Sequence, residues 1–280
     1  MDALAFYGLE HDGDGPEWRM PVVRRLCSGL GALFGGCGLG AAIAVLEHVT
    51  DRPVTWATAQ FLEFARPGST VELEITEVIR GHATSQSRVL ARVDGQEIFT
   101  VLAASGRRTL AWDGEWAERP EVPPPDACPP RPLRPEHAGT IAEQLEVRAA
   151  NLRLLEDLDG TPGNGRSALW VRNPWGTDAQ AAALAIVGDY VPMGIGQASG
   201  RRVESSSLDN TLRMVKVHPT EWILADIRVH AVADGFGHGL VHLWAEDGTL
   251  IATASQSAIV KDPKTPSPSD PSDPSDRTDP

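Results

Sequence analysis

The chain has 280 residues, 41% hydrophobic and 22% charged, and its formal net charge at pH 7 is −13. This length suits one large domain or two small ones with a substantial core. The acidic balance argues against a nucleic-acid partner, because phosphate binding requires a basic surface. The longest apolar stretch, residues 38–46, is too short to span a membrane. Since the N-terminus lacks the basic and apolar segments of a signal peptide, we expect a cytoplasmic protein.

The first predicted helix covers about Phe34 to His48 and begins at a glycine-rich stretch, GGCGLG, at residues 35–40. A dinucleotide-binding loop needs a preceding strand and a third glycine spaced for close helix packing, and a phosphate loop needs Gly-Lys-Ser/Thr. The residues before the stretch are not β-branched, and the chain has no lysine before Lys216. We therefore interpret the glycines as the start of a helix that packs closely against its neighbours.

The strands that follow recur in the second half of the chain. Asp94-Gly95 and Asp247-Gly248 stand 153 residues apart, each between alternating apolar runs. Such a dipeptide between alternating strands is a strong hairpin signal. Residues 141–158 are compatible with a helix, but a strand that opens the second half fits the repeat better.

A second helix is predicted at about Asp178 to Met193, with Thr177 or Asp178 as its N-cap. Both predicted helices are apolar on most faces, which is typical of buried helices. Each half thus combines one buried helix with several long antiparallel strands. The sequence predicts an α+β fold in which a sheet wraps a single helix, twice.

Proline clusters divide the chain. We expect an N-terminal unit at residues 20–115, a proline-rich linker at 116–139, a C-terminal unit at 140–262 and a disordered tail at 263–280. The three cysteines, Cys27, Cys37 and Cys128, have neither metal-ligand spacing nor the pattern of a disulfide framework. We expect reduced thiols, no metal and no cofactor.

Several segments together resemble a known family. They are LFGGCGLGAAIAV and FLEFARPGS in the first half, and SSLDNTLRMVKVHPTEWIL and TLIATASQSAIVK in the second. In order and spacing they are similar to the acyl-CoA thioesterase II (TesB-like) family, over roughly residues 20–262. The resemblance implies a double hotdog fold, two tandem hotdog units each with a central helix wrapped by an antiparallel sheet. It also implies an acyl-CoA substrate.

The resemblance further implies catalytic residues. The family holds a water with an aspartate, a glutamine and a hydroxyl residue, which correspond here to Asp209, Gln256 and, in place of the hydroxyl, His230. A neutral imidazole accepts or donates a hydrogen bond, so His230 can substitute for the hydroxyl or act as a base. The helix start at Gly35 and Gly36 is the candidate substrate-binding element, with the Gly36 N–H as donor to the developing oxyanion.

The internal repeat offers a comparison for these assignments. At offsets of 152 and 153 residues, Asp209 corresponds to Ala57, Gln256 to Ala103 and His230 to Glu77. The Asp and Gln therefore occur in one half only. This is expected if one half holds a single specialised site, and it is also expected if the sequences of two structural repeats have drifted apart.

Two other functions compete with hydrolysis. The missing hydroxyl at His230 favours a non-catalytic acyl-CoA-binding protein that kept the fold. Asp234 and His238, in DGFGHG, resemble the pair of hotdog enoyl-CoA hydratases, although the glycines around them favour a turn.

We expect the two halves to form one continuous sheet, because joining their edge strands removes exposed edges. The site should then lie where the halves meet, with Gly35 and Gly36 on one side and Asp209 and Gln256 on the other. We also expect the chain to form a homo-oligomer.

Overall fold

The computed structural model describes residues 2–11, 13, 15–173, 175 and 180–261. The predicted tail at 263–280 and the predicted cap at Thr177 and Asp178 lie outside the described residues. The helices are α1 (Ala3–Tyr7), α2 (Gly35–Thr50), α3 (Ile141–Gln144), α4 (Ala181–Val187) and α5 (Val191–Ser199). The strands are β1 (Glu10–His11), β2 (Glu17–Pro21), β3 (Val54–Phe61), β4 (Thr70–Arg80), β5 (Thr84–Val93), β6 (Gln96–Gly106), β7 (Val147–Asn151), β8 (Arg166–Arg172), β9 (Glu204–Ser207), β10 (Asp209–Met214), β11 (Trp222–Ala233), β12 (Phe236–Ala245) and β13 (Leu250–Lys261).

All thirteen strands belong to one antiparallel sheet. Its order is β1-β2-β4-β5-β6-β3-β10-β13-β12-β11-β8-β7, with β9 also paired to β13. The strands of the two halves meet where β3 pairs with β10. The sheet is therefore continuous from one half to the other, as expected from the need to cover the edge strands of both halves.

The register at this seam is symmetric about one residue pair. Thr58 pairs with Thr211, and their hydroxyl oxygens are 2.6 Å apart. The pairs on either side, Gln60 with Asp209 and Trp56 with Arg213, are equivalent at the same offset of 153 residues. This register corrects one sequence correspondence: Asp209 is equivalent to Trp56 rather than Ala57, and the first half still lacks the aspartate.

The predicted hairpins are confirmed. Asp94 and Gly95 connect β5 to β6 with φ angles of 50° and 80°. Asp234 and Gly235 connect β11 to β12 with φ angles of 51° and 77°. Aspartate and glycine tolerate this left-handed backbone, which matches the twist of a tight hairpin. Asp247-Gly248 lies between the paired strands β12 and β13.

The first helix is confirmed nearly in full, and its glycines allow the close packing that the sequence predicted. A Cβ on Gly36 would lie 2.6 Å from the carbonyl oxygen of Ala185, and a Cβ on Gly40 would lie 2.6 Å from that of Ala182. The backbone of α2 therefore packs directly on α4. The Tyr7 hydroxyl, from α1, donates to the Ala182 carbonyl at 2.9 Å and closes this contact.

The second helix differs from the prediction, because it is divided. α4 ends at Val187 and α5 begins at Val191. Pro192 lacks the N–H that would bond the Gly188 carbonyl in a continuous helix, and proline is favoured in a first turn. The N–H of Val191 donates to the Gln256 side chain at 3.2 Å instead. The break leaves Asp189 between the helices.

Residues 141–158, for which the sequence allowed a helix or a strand, contain both. The short α3 is followed by strand β7, so the strand prediction is correct for Val147–Asn151. Helix α1 and strands β1 and β2 were not predicted from the sequence. Within the described ranges, none of the helices is long and apolar enough to cross a membrane.

Residues 117–128 of the proline-rich segment pack on the face of the sheet opposite the helices. The indole N–H of Trp170 donates to the Pro123 carbonyl at 2.9 Å, and the Arg228 guanidinium donates to the Glu118 carbonyl at 3.0 Å. Beneath it lies a second apolar cluster that includes Trp222, Trp244 and Cys128. The main core, between sheet and helices, contains residues of both halves.

Candidate functional site

A cavity of about 470 Å³ opens beside the start of α2 and is lined by both halves of the chain. Its volume is in the range of small-molecule sites. Aromatic and aliphatic side chains form much of its wall, with Phe34, Phe61 and Phe99 from the first half and Leu145, Tyr190 and Met193 from the second. Gly35 and Asp189 also line it. It is therefore a largely apolar chamber with one buried acid.

Asp189 lies at the break between α4 and α5 and is 5% exposed. Its Oδ2 accepts the N–H of Gly36 at 2.6 Å. Its Oδ1 accepts the Nε2–H of Gln256. The carboxylate is thus held by one donor from each half, across the contact between them.

Burial controls the ionisation of this carboxyl. Desolvation raises the pKa of Asp189 from its ordinary 3.8 to about 7, against the opposing effect of the hydrogen bonds from Gln256 and Gly36. Burial, with Asp189 nearby, also raises the pKa of the Cys37 thiol well above its ordinary value. Since a nucleophilic cysteine requires a lowered pKa, Cys37 does not have the environment of a nucleophile.

The Gln256 side chain is oriented by three neighbours. Its Oε1 accepts the Val191 N–H, which fixes which end of the amide faces Asp189. Its Nε2 faces Asp189 and is also 3.3 Å from the Ser207 hydroxyl. Ser207 and Asp189 line the cavity and Gln256 does not, so the buried amide lies behind these two side chains.

Asp209 begins β10, where the chain changes register against β13. Ser207 of β9 pairs with Ala258, whereas Thr211 of β10 pairs with Ser255, a shift of one residue. At this irregularity the Asp209 carboxylate accepts the backbone N–H of Ser257 at 2.7 Å. Asp209 is therefore anchored beside the residue that follows Gln256, and it is not among the residues that line the cavity.

The other predicted residues lie at different places. Gly35 lies against the acid, since a Cβ there would be 2.9 Å from Asp189 Oδ2. Gly36 contributes its N–H to Asp189 rather than leaving it free. His230 is exposed at a bulge of β11, away from the residues that line the cavity. The structure thus gathers Gly35, Gly36 and Gln256 around Asp189.

Asp189 was not among the site residues predicted from the sequence. The available signal was its setting, a single carboxylate inside the apolar run AAALAIVGDYVP. A buried acid with a displaced pKa in a cleft is a candidate functional group. Because the apolar run predicts one continuous buried helix, the break that presents the acid was not expected from the sequence.

Charged groups also line the cavity. The Arg131 guanidinium lies 5.7 Å from the ring centre of Tyr190, and Arg131, His137 and Lys261 are among the lining residues. Within the described part of the chain, no cluster of His, Cys, Asp and Glu side chains is arranged to hold a metal.

The pair that resembled a hydratase site lies on a hairpin. Asp234 occupies the turn between β11 and β12. His238 is exposed, and its Nδ1 is 3.0 Å from the Ser257 hydroxyl. Asp234 and Gly235 therefore form the expected turn, whereas His238 belongs to strand β12.

Comparison with known families gives two matches. Residues 24–106 match the model of the acyl-CoA thioesterase N-terminal domain, and residues 125–260 match that of the acyl-CoA thioesterase C-terminal domain. Together the two matches cover most of the chain. No protein of curated function matches it.

Solved structures with a similar fold cover nearly the whole chain. A candidate thioesterase from Novosphingobium aromaticivorans is 32% identical, with a TM-score of 0.79 over 91% of this chain and 98% of its own. A hotdog-fold protein from Alicyclobacillus acidocaldarius is 22% identical, with a TM-score of 0.81 over 94% and 97%. An acyl-CoA thioesterase II from Mycobacterium marinum is 20% identical, with a TM-score of 0.72 over 94% and 99%. The last two establish likeness of fold, which is an α+β hotdog fold.

Proposed function

The chain belongs to the acyl-CoA thioesterase family of TesB-like thioester hydrolases, and from this premise we propose that it hydrolyses acyl-CoA to a free fatty acid and CoA. The observation that carries the proposal is the apolar cavity, with Asp189 at its wall and the Gln256 amide bonded to Asp189 behind that wall. An apolar chamber suits an acyl chain, and polar groups at its wall suit a reacting carbonyl and a water. Thioester hydrolysis requires both.

We propose a double hotdog architecture for the chain. In this arrangement α2, with the strands of the first half, forms one unit, and α4 and α5, with those of the second, form the other. The seam between β3 and β10 and its symmetric register support this assignment. The proposed site uses both units, since Gly36 belongs to one and Gln256 to the other.

For the chemistry, we propose that Asp209 and Gln256 hold the attacking water, as the resemblance to the family implies. Two contacts support this pairing. Asp209 bonds the backbone of Ser257, the neighbour of Gln256, and the Gln256 amide is 3.3 Å from the hydroxyl of Ser207, two residues before Asp209. His230, the expected substitute for the family's hydroxyl, is exposed at a bulge of β11 and away from the cavity, so it is not part of this proposal.

Steady-state hydrolysis of a series of acyl-CoA esters, from short to long chain, tests the function. We expect turnover of at least one chain length. For the best substrate, Asp209→Asn and Gln256→Ala should each lower kcat/KM by about 100-fold or more, the usual scale for groups that activate water. Asp234→Asn is the matched control, because asparagine tolerates the left-handed backbone of that turn and should retain activity. Absence of hydrolysis at every chain length would overturn the proposal.

A second candidate is a non-catalytic acyl-CoA-binding protein. The observation that favours it is that Asp189 occupies both the Gly36 N–H and the Gln256 amide, two groups that a reacting thioester would use. Binding of a non-hydrolysable thioether analogue of acyl-CoA, together with no turnover of the thioester, is the result that would select it.

A further inference from the structure

We propose that Asn210 positions the Gln256 amide for the hydrolysis, through a buried water that the two side chains share. The inference rests on the proposed function, because Gln256 has its role only if the thioester is hydrolysed. It comes from the burial of the Asn210 side chain and from its place in the sheet.

The Asn210 side chain is buried without a protein partner. The residue is 1% exposed, and within the described part of the chain neither its Oδ1 nor its Nδ2 has a hydrogen-bond partner. Among the described residues with buried, unpartnered side-chain atoms, Asn210 is the one with two such atoms. An amide buried in this state destabilises the fold, so packing alone does not account for it.

The register of the sheet places Asn210 beside Gln256. Leu212 of β10 pairs with Ala254 of β13, and both belong to the main core between sheet and helices. Two residues further along each strand, and therefore on the same face, are Asn210 and Gln256. On its other side Asn210 pairs with Ala59, also in the main core. Gln256 is thus its polar neighbour in the layer that faces the helices.

The Gln256 amide retains one hydrogen-bonding site. Its Nε2 faces Asp189 and Ser207. Its Oε1 accepts the Val191 N–H, and a carbonyl oxygen accepts about two hydrogen bonds. A water that accepts from the Asn210 Nδ2–H and donates to the Gln256 Oε1 would partner both amides. Buried waters of this kind, with about two to four polar partners, are part of protein interiors.

This water would fix which end of the Gln256 amide faces the cavity. Rotation of the amide by half a turn would place Nε2 against the Val191 N–H and break the contact with Asp189. The shared water would oppose the same rotation from a second direction. Because Asn210 is not among the residues that line the cavity, it acts on Gln256 and not on the thioester. It is a positioning residue.

The activity of Asn210→Leu, compared with its stability, tests the role. Leucine has the same branched arrangement of side-chain atoms and removes the buried amide, so the midpoint of thermal unfolding should equal or exceed that of wild type. We expect kcat/KM for the best substrate to fall by about tenfold, the scale of one lost hydrogen bond. The loss should be in kcat and not in KM, because Asn210 does not line the cavity.

Ser105→Ala is the matched control. Ser105 is 0% exposed, and its hydroxyl has no partner among the described residues, but it is not among the residues that line the cavity. Its loss should therefore leave kcat/KM at the wild-type value. A second comparison combines Asn210→Leu with Gln256→Ala. Because Asn210 acts through Gln256, the double variant should be no slower than Gln256→Ala alone. A further loss of about tenfold in the double variant would overturn the proposal.

One measurement on the wild type needs neither substrate nor a variant. In an NMR spectrum whose side-chain amides are assigned through the backbone, the Asn210 Nδ2 protons should show a nuclear Overhauser contact to water. Absence of this contact would overturn the shared water. An active wild type together with a fully active Asn210→Leu variant would overturn the positioning role and leave the proposed function intact. An inactive wild type would overturn the proposed function and the positioning role together.

Discussion

At the scale of single residues, the Asp189 carboxyl couples folding to pH. Its pKa in the folded chain, about 7, lies above its ordinary 3.8, so the folded state binds this proton more tightly than the unfolded state does. Stability from this group is then full below about pH 4 and is lost as pH rises through about 7. The full difference is about 4 kcal/mol, at about 1.4 kcal/mol for each pH unit.

We predict that Asp189→Asn removes this dependence. Urea unfolding of wild type should give a lower free energy of unfolding at about pH 8 than at about pH 5, and the variant should lose much of that difference. The variant should be relatively more stable at the higher pH, because no charge is then buried. An unchanged difference in the variant would place the pH dependence in another group.

Part of the group of residues around Asp189 could be predicted from the sequence. Gln256 and the glycines were identified from a resemblance, and the structure places them around one carboxylate. The partner of these groups could not be read from the chain, because Gly36, Asp189 and Gln256 meet only through tertiary packing. The direct contact between Gly36 and Asp189 also differs from the expectation of a free Gly36 N–H.

At the scale of elements, the contact between α2 and α4 depends on glycine at two turns of α2. In an exposed helix, glycine to alanine is stabilising by about 1 kcal/mol. We predict the opposite sign for Gly40→Ala, because its Cβ would lie 2.6 Å from the Ala182 carbonyl oxygen and would also meet the Tyr7 hydroxyl. Overpacking of this kind costs about 1–3 kcal/mol.

Thermal unfolding measures this effect. Gly15→Ala is a suitable control, because its new Cβ would approach no atom closer than 3.9 Å, and its melting temperature should match that of wild type. If the Gly40→Ala variant were as stable as wild type, α2 and α4 would be able to move apart without loss of stability, and the prediction would be wrong.

Local sequence patterns were sufficient to predict some helices and hairpins but not the break between α4 and α5. The apolar run of α2 and the Asp-Gly hairpins are local signals, and the structure contains both. The interruption between α4 and α5 depends on Pro192 together with a hydrogen bond from Val191 to a strand 65 residues away. The apolar pattern of residues 178–193 does not indicate that hydrogen bond. For this reason the sequence predicted one helix, whereas the structure has two.

At the scale of the whole molecule, the seam between β3 and β10 should make the halves unfold together. We predict a single transition in which tryptophan fluorescence and circular dichroism coincide. Thr58→Val should lower both midpoints equally, since it leaves the hydroxyl of Thr211, which is 7% exposed, without its partner at a cost of about 1–3 kcal/mol.

The exposed Thr55 of the same strand provides the control for this substitution. Thr55→Val should shift the midpoint little, because surface changes are usually within about 0.5 kcal/mol. Two separate transitions, one for each half, would contradict the prediction. The repeat, the family resemblance and the need to cover edge strands together predicted the joined sheet. It did not reveal that the proline-rich segment covers the tryptophans on the opposite face.

The seam has a consequence for how such a site can arise. Thr58 and Thr211 face each other 153 residues apart, and Gly36 and Asp189 are in contact at the same separation. In a dimer of identical single units, the residues that meet at such an axis would be the same on both sides, and two aspartates would repel each other there. Fusion of two copies into one chain lifts this restriction. One copy can then keep a glycine whose backbone donates, while the other acquires the acid that accepts.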